Sequence, residues 1–228
     1  MNKLYFILML IVLVGCNSLV KPEQVFEQKT TKQIKKSVVK ISSNSQKEGR
    51  QEGTGFVVGV SNDKTYILTV SHVIGSDQNP TVEFFENEKF QAEVLDKESQ
   101  KKGLALLSVT GLIPYDVMPL YIIKKRNLKS GDTVFTFGFP RGGVRWAYDK
   151  LSYTGQKHRD ILFSNSSINE GNSGSPVIKE DQVVAIITSI TDYAYSTPTE
   201  DIRNFLTGSV GGKAILKDME KWNIGLTH

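Results

Sequence analysis

The 228-residue chain has one cysteine, three histidines and a single long apolar run. Each scarcity excludes something. Apart from Cys16 the chain has no thiol, so no disulfide holds its fold. The apolar run, Leu4 to Val14, has eleven residues. That is too short to span a bilayer comfortably and suits a signal-peptide core behind the positive Lys3. Concentrated positive charge is missing too. The formal net charge is +4 with the lysines scattered, and no helix or loop gathers arginine with aromatics, which argues against nucleic-acid binding. Repeats and low-complexity tracts are absent. What remains, 39% hydrophobic and 23% charged, is an ordinary globular composition able to bury a full core.

The apolar run ends in "LVGC", Leu13 to Cys16, which resembles a bacterial lipoprotein box. The resemblance makes residues 1–16 a signal peptide, Cys16 the lipid-bearing first mature residue, and the protein a membrane-anchored lipoprotein of the bacterial envelope. The alternative is a plain secretory signal in which Cys16 is incidental. Residues 17–32 read as a polar tether, and "KQIKKSVVKI" as a solvated segment entering the first strand.

From Ser37 onward short β-branched and aromatic runs recur between turn residues: "SVVKIS", "GTGFVVGV", "TYILTVS", "TVEFF", "FQAEVL", "LALLSV", "DTVFTFGF", "DILFS" and "VVAIITSI". Such spacing predicts an all-β sandwich or barrel. "SNDK", Ser61 to Lys64, reads as a hairpin turn. Helix signals come only near the C-terminus. In "STPTEDIRNFLTG" Thr197 is the expected cap, Pro198 the first helical residue, Glu200 the capping-box partner and Gly208 the C-cap. "AILKDMEKW" is a candidate for a last short helix.

One bend stands out. "INEGNSGSPV", Ile168 to Val177, sets Ser173 between glycines just before a buried-strand signal. Such a cluster is either a tight loop and nothing more, or a nucleophile whose oxyanion hole is made by the amides of Gly171 and Ser173. A nucleophilic serine needs a base. His228 is terminal and His158 lies in the polar run "GQKHRD", whereas His72, in "YILTVSHVIG", follows a strand directly.

In order, "GTGFVVG", "YILTVSHVI", "LALLSV", "GDTVFTFGFPRG", "SINEGNSGSPV" and "VVAIITSI" resemble a bacterial trypsin-like serine endopeptidase. The order is that of the HtrA/Deg branch and the glutamyl endopeptidases of the chymotrypsin fold, and the match runs from about Ile34 to Leu206. The resemblance implies two six-stranded antiparallel β-barrels across residues 33–212, followed by a short C-terminal helix or tail over 213–228. It also implies His72 from the first barrel as the base, Ser173 from the second as the nucleophile, and Gly171 and Ser173 as oxyanion donors. The chemistry calls for no metal and no cofactor. Substrate is expected against Ser167 and the strand residues Ile187, Thr188 and Ser189. Ile187 stands where glutamyl endopeptidases place a histidine, and no aspartate is placed to pair a cation. A narrow apolar pocket is therefore expected, for a residue such as Val or Leu. HtrA proteins usually continue into a peptide-binding PDZ domain; the residues after Leu206 are too few for one, so none is expected.

One position departs from the family. The orienting aspartate directly precedes the "LAL" strand there, and here Gly103 does. Asp96 or Glu98 swinging back, a water, or nothing are the options. Two functions follow, a lipid-anchored endopeptidase acting on exposed segments of proteins and a pseudoprotease that binds peptides or a partner in the same cleft. If Gly103 does hold the orienting position, Gly103→Asp should raise activity; if Asp96 has taken the role, Asp96→Asn should cripple the enzyme.

Overall fold

The computed structural model describes residues 31–45, 49–61, 63–85, 88–100, 102–111, 116–140, 146–164 and 168–226, with side chains as far as Lys221. The expected signal peptide, Cys16 and most of the expected tether lie outside the described residues. Residues 31–37 form a helix, α1. This differs from the solvated segment expected there, because Ile34 finds an apolar site and is 5% exposed.

Two closed antiparallel barrels follow. The first contains β1 (Val38–Ser45), β2 (Gly49–Ser61), β3 (Lys64–Val70), β4 (Thr81–Glu83), β5 (Lys89–Lys97) and β6 (Leu104–Thr110), in the order β1-β2-β3-β6-β5-β4. A single helical turn, α2 (Ser71–Ile74), interrupts it after β3. The second contains β7 (Thr133–Gly138), β8 (Ala147–Lys157), β9 (Asp160–Ser164), β10 (Pro176–Lys179), β11 (Gln182–Ile190) and β12 (Tyr193–Pro198), in the order β10-β11-β12-β9-β8-β7. Closure gives every strand among the described residues a partner on both sides. Register shifts at Val57/Gly59, Val94/Asp96, Tyr153/Gly155, Val177/Ile178 and Ile187/Ser189 are irregularities that let strands bend around a small barrel.

The expected two-barrel fold is therefore present. Ser61 pairs with Lys64 across the predicted hairpin turn. The C-terminal region holds two helices, α3 (Thr199–Gly208) and α4 (Gly212–Leu226). The predicted cap is corrected. Thr197 lies in β12, held by its pairing with Ile186, so Pro198 becomes the N-cap and no side chain caps α3. Its C-cap is Ser209 in place of Gly208, and the Ser209 amide donates to the carbonyls of Phe205 and Leu206.

One apolar cluster fills the first barrel and continues through Ile122, Phe137, Phe139 and Ile186 to Ile202, Leu206, Ile215 and Met219 of α3 and α4. A second fills the other barrel, with Val134, Leu151, Phe163, Val177 and Ile187. Ile186 and Ile187 belong to different clusters because successive strand side chains point to opposite faces. Both C-terminal helices thus pack on the barrels. Glu220 of α4 bonds Arg203 of α3 at 2.8 Å and Lys124 of the inter-barrel connection at 2.6 Å. Among the described residues no helix is long and apolar enough to cross a membrane.

Candidate active site

His72 stands in α2, where β3 turns directly into a helical turn. Val73 and Ile74 are buried on one side, so the half-buried His72 is presented on the other. The turn is fixed from outside itself. Ser43 Oγ donates to the Val73 carbonyl at 2.6 Å, and the Ser71 amide donates to the Gly103 carbonyl at 2.7 Å. His72 opens on a cleft of about 710 Å³ lined also by Gln51, Ser71, Lys97 and Glu98.

Ser173 lies in the bend that enters β10. The Ser175 amide donates to the Asn172 carbonyl at 2.9 Å and the Asn172 amide to the Asn169 carbonyl at 3.1 Å, which folds the segment back on itself. Gly174 has φ +88°, and a Cβ on it would lie 1.9 Å from the Thr54 carbonyl oxygen. Only glycine serves at such a place. Its amide donates to the Ile187 carbonyl at 2.8 Å, and the Ile187 amide to the Ser175 carbonyl at 3.0 Å, so the bend is hydrogen-bonded to β11.

One segment of β2 touches both halves of the site. The Thr54 amide donates to the Ser173 carbonyl at 2.9 Å, and Thr54 Oγ1 donates to the Gly171 carbonyl at 2.7 Å while accepting from the Phe139 amide at 3.1 Å. Beside it, a Cβ on Gly53 would sit 2.4 Å from a Val73 methyl and 3.1 Å from the Ser173 oxygen. The residue after His72 and the backbone of Ser173 therefore approach from two sides of one glycine. Sequence reasoning passed over Thr54, reading "GTGFVVG" as a strand and as part of the family resemblance without giving Thr54 a role; the signal was a hydroxyl between two glycines.

The carbonyls of Gly171 and Ser173 are thus committed to Thr54. The amides of the same two residues donate to no acceptor among the described residues. Gly171 is buried, and a buried backbone donor normally has a partner. The fold leaves these two donors for something else to use.

The residues read as a specificity pocket divide. Ser167 lies outside the described residues. Ile187 is fully buried in the second-barrel core, so only its backbone reaches the bend. Thr188 is 1% exposed, with its hydroxyl donating to the Tyr195 carbonyl at 3.2 Å. Ser189 pairs with Tyr195 beyond the register shift and is half-buried. His158 is exposed in the turn between β8 and β9, with φ 57°, and belongs to no site.

Near His72, a Cβ on Gly103 would lie 2.6 Å from Glu98 Cβ and 3.0 Å from Ser71 Oγ. Asp96 sits in the β5 irregularity opposite Leu106, with Oδ1 accepting from the Lys97 amide at 2.8 Å. Glu52, just before Gly53, is the carboxylate on the bridging strand. Burial pushes its acidity down, but hydrogen bonds from Arg50 at 2.6 Å and Lys40 at 3.3 Å outweigh that and leave its pKa below the usual glutamate value. Among the described residues no group of His, Cys, Asp and Glu is arranged to hold a metal ion.

The model of the trypsin-like peptidase domain matches residues 53–186, a span containing both His72 and Ser173. A serine protease Do-like HtrA of Lactobacillus helveticus is 27% identical over 182 residues, which cover 71% of this chain and 43% of that protein. A serine protease HtrA-like protein of Staphylococcus aureus is 24% identical over 211 residues, covering 81% of this chain and 27% of its own length. The chain thus spans less than half the length of these relatives. Among solved structures, the active form of a protease from M. tuberculosis superposes with a TM-score of 0.67 at 21% identity, covering 82% of this chain and 87% of that one. A serine endoprotease from Yersinia pestis gives 0.65 at 20% identity, covering 84% and 66%. These likenesses extend over both barrels, and the matched model covers more than half of the sequence: the chain belongs to the family of trypsin-like peptidase domains.

Proposed function

We propose that the chain is a serine endopeptidase that hydrolyses peptide bonds in exposed or unfolded protein segments through an acyl-enzyme on Ser173. The bend carries the reading. Its two carbonyls are tied to Thr54 while the Gly171 and Ser173 amides stay uncommitted beside a half-buried serine. A turn that served folding alone would have no reason to leave that pair of donors unused. Family membership and relatives named as serine proteases support the same reading.

In this mechanism His72 takes the Ser173 hydroxyl proton as Oγ bonds to the scissile carbonyl carbon. The two amides stabilise the oxyanion that forms. His72 then hands the proton to the leaving nitrogen as the C–N bond breaks. Water next attacks the ester, giving a proton to His72, and the proton returns to Ser173 Oγ as the acid is released. Labelling with a fluorophosphonate and hydrolysis of an unfolded protein such as casein test the proposal. Both are expected in the wild type and absent in Ser173→Ala. A wild type that neither labels nor cleaves would leave the second reading, a pseudoprotease that binds peptides in the same cleft.

The sequence "LVGC" supports a further assignment, that Cys16 is acylated and anchors the enzyme to a bacterial membrane, facing the periplasm or the exterior. Cys16→Ala is then expected to release the protein from the membrane fraction and to abolish incorporation of labelled fatty acid. For the residue before the cleaved bond we propose a medium aliphatic side chain, because the described residues of the expected pocket wall, Ile187, Thr188 and Ser189, include no acid to pair a cation. Dominant cleavage after Glu, Arg or Lys in a peptide library would overturn that preference.

A further inference from the structure

Gly103 stands where the family carries its orienting acid, so the acid must come from elsewhere or be dispensed with. We propose that Glu98 is the positioning residue of His72, supplied by the connection between β5 and β6. The proposal rests on the reading of His72 and Ser173 as base and nucleophile.

The connection folds back over Gly103. Glu98 Cβ lies 2.6 Å from the point a Cβ on residue 103 would occupy, so its side chain departs from nearly the same place. The loop is fastened to the residues flanking both partners. Ser71 Oγ donates to the carbonyls of Glu98 and Leu104 at 2.8 and 2.9 Å. The Glu98 amide donates to the Leu104 carbonyl at 2.9 Å, and the Gly103 amide to that of Gln100 at 2.8 Å. Ser71 immediately precedes His72, so the base and the loop share one set of hydrogen bonds.

The carboxylate itself is held. Oε2 accepts from the Leu104 amide at 2.7 Å, while Oε1 takes no hydrogen bond from another described residue. Among the described residues lining the His72 cleft, Glu98 is the one acid. The other charged group there is Lys97, whose ammonium donates to the Gly75 carbonyl. Gln51, Ser71, Ser99 and Gln100 complete the polar lining. Asp96 does not line the cleft, and its carboxylate is turned to the Lys97 amide. A glutamate anchored through one oxygen is suited to accept the Nδ1 proton of His72 with the other. That fixes the tautomer with Nε2 toward Ser173 and stabilises the imidazolium.

Glu98→Gln separates this role from a structural one, because the amide oxygen can still accept from Leu104 while the charge is lost. In the full-length protein we expect Glu98→Gln to lower kcat by about 10²–10⁴-fold with KM little changed, by comparison with loss of the usual aspartate. Glu98→Asp should restore part of the loss, and Asp96→Asn should behave as wild type. The His72 imidazole, assigned by NMR against a His72→Gln spectrum, should titrate at lower pH in Glu98→Gln than in wild type, because a neighbouring anion favours the cation. Turnover and His72 titration unchanged in Glu98→Gln, or a comparable loss in Asp96→Asn, would overturn the proposal. If the wild type neither labels nor cleaves, the peptidase reading fails, and the NMR titration still decides for or against Glu98.

Discussion

Thr54 of the first barrel donates its amide to the carbonyl of Ser173 in the second at 2.9 Å, and its hydroxyl to the carbonyl of Gly171 at 2.7 Å. One buried residue thus positions the serine bend from the opposite barrel. Thr54→Val keeps the shape but leaves the Gly171 carbonyl and the Phe139 amide without their partner. Each buried orphan costs ~1–3 kcal/mol. We expect a destabilisation of about 2–4 kcal/mol by denaturant unfolding and a fall in kcat larger than any rise in KM. Thr54→Ser should be close to wild type in both.

Gly174 meets Thr54 from the other side. Its φ of +88° and the 1.9 Å approach of a would-be Cβ to the Thr54 oxygen leave no room for a methyl, since the neighbour is backbone and cannot move aside. Gly174→Ala is therefore expected to cost about 4 kcal/mol or more and to abolish fluorophosphonate labelling. Stable, labelled Gly174→Ala protein would show that the bend is less constrained than its geometry indicates.

These contacts mark how far the sequence was legible. Strands that bury β-branched residues on a barrel wall, such as "YILTV" and "LALLSV", announced themselves. β12 did not: its inward positions are Ala194, Ser196 and Pro198, which carry little hydrophobic signal. Of the residues in β8, Leu151 alone is fully buried, and the strand closes the barrel through its backbone pairings with β7 and β9. Ile187 stands where glutamyl endopeptidases place a histidine, which suggested a pocket wall, yet strand alternation turns its side chain into the core and only its backbone reaches the bend. Thr54 was missed because its partners, Gly171 and Ser173, are distant in sequence and meet it only once both barrels have closed.

Gly103 offers a sharper test of the loop beside His72. An acid placed at this position was expected to raise activity if Gly103 itself held the orienting place. The structure predicts the opposite, since a Cβ there meets Glu98 Cβ at 2.6 Å and the Gln100 carbonyl at 2.9 Å. Gly103→Asp should displace Glu98 and Gln100, lower the melting temperature and reduce turnover. The double variant Glu98→Gly/Gly103→Asp relieves the first overlap and should recover activity relative to either single variant. Coupling of that kind is what residues sharing one space produce.

Acid sensitivity is expected where the C-terminal helices dock. Burial raises the Glu220 pKa, but hydrogen bonds from Lys124 and Arg203 more than offset it, leaving the carboxyl below the usual glutamate value in the folded chain. Asp132 is lowered too, first by its hydrogen bond from Lys179 and then by the Lys129 amide. A carboxyl whose folded pKa lies below its unfolded one binds protons more readily once unfolded. Its contribution is therefore complete above the ordinary carboxylate range and is lost as pH falls through the depressed folded value. Glu220→Gln should accordingly melt below wild type near neutral pH, because Arg203 and Lys124 lose their counter-charge. As pH falls through the depressed folded value and the wild-type carboxyl also becomes neutral, the two melting curves should draw together. The carboxyl is about a third exposed, so the neutral-pH difference should be modest and should shrink further in high salt. A gap between the curves that stays constant from neutral to acid pH would mean that Glu220 holds α4 through packing and not through its charge.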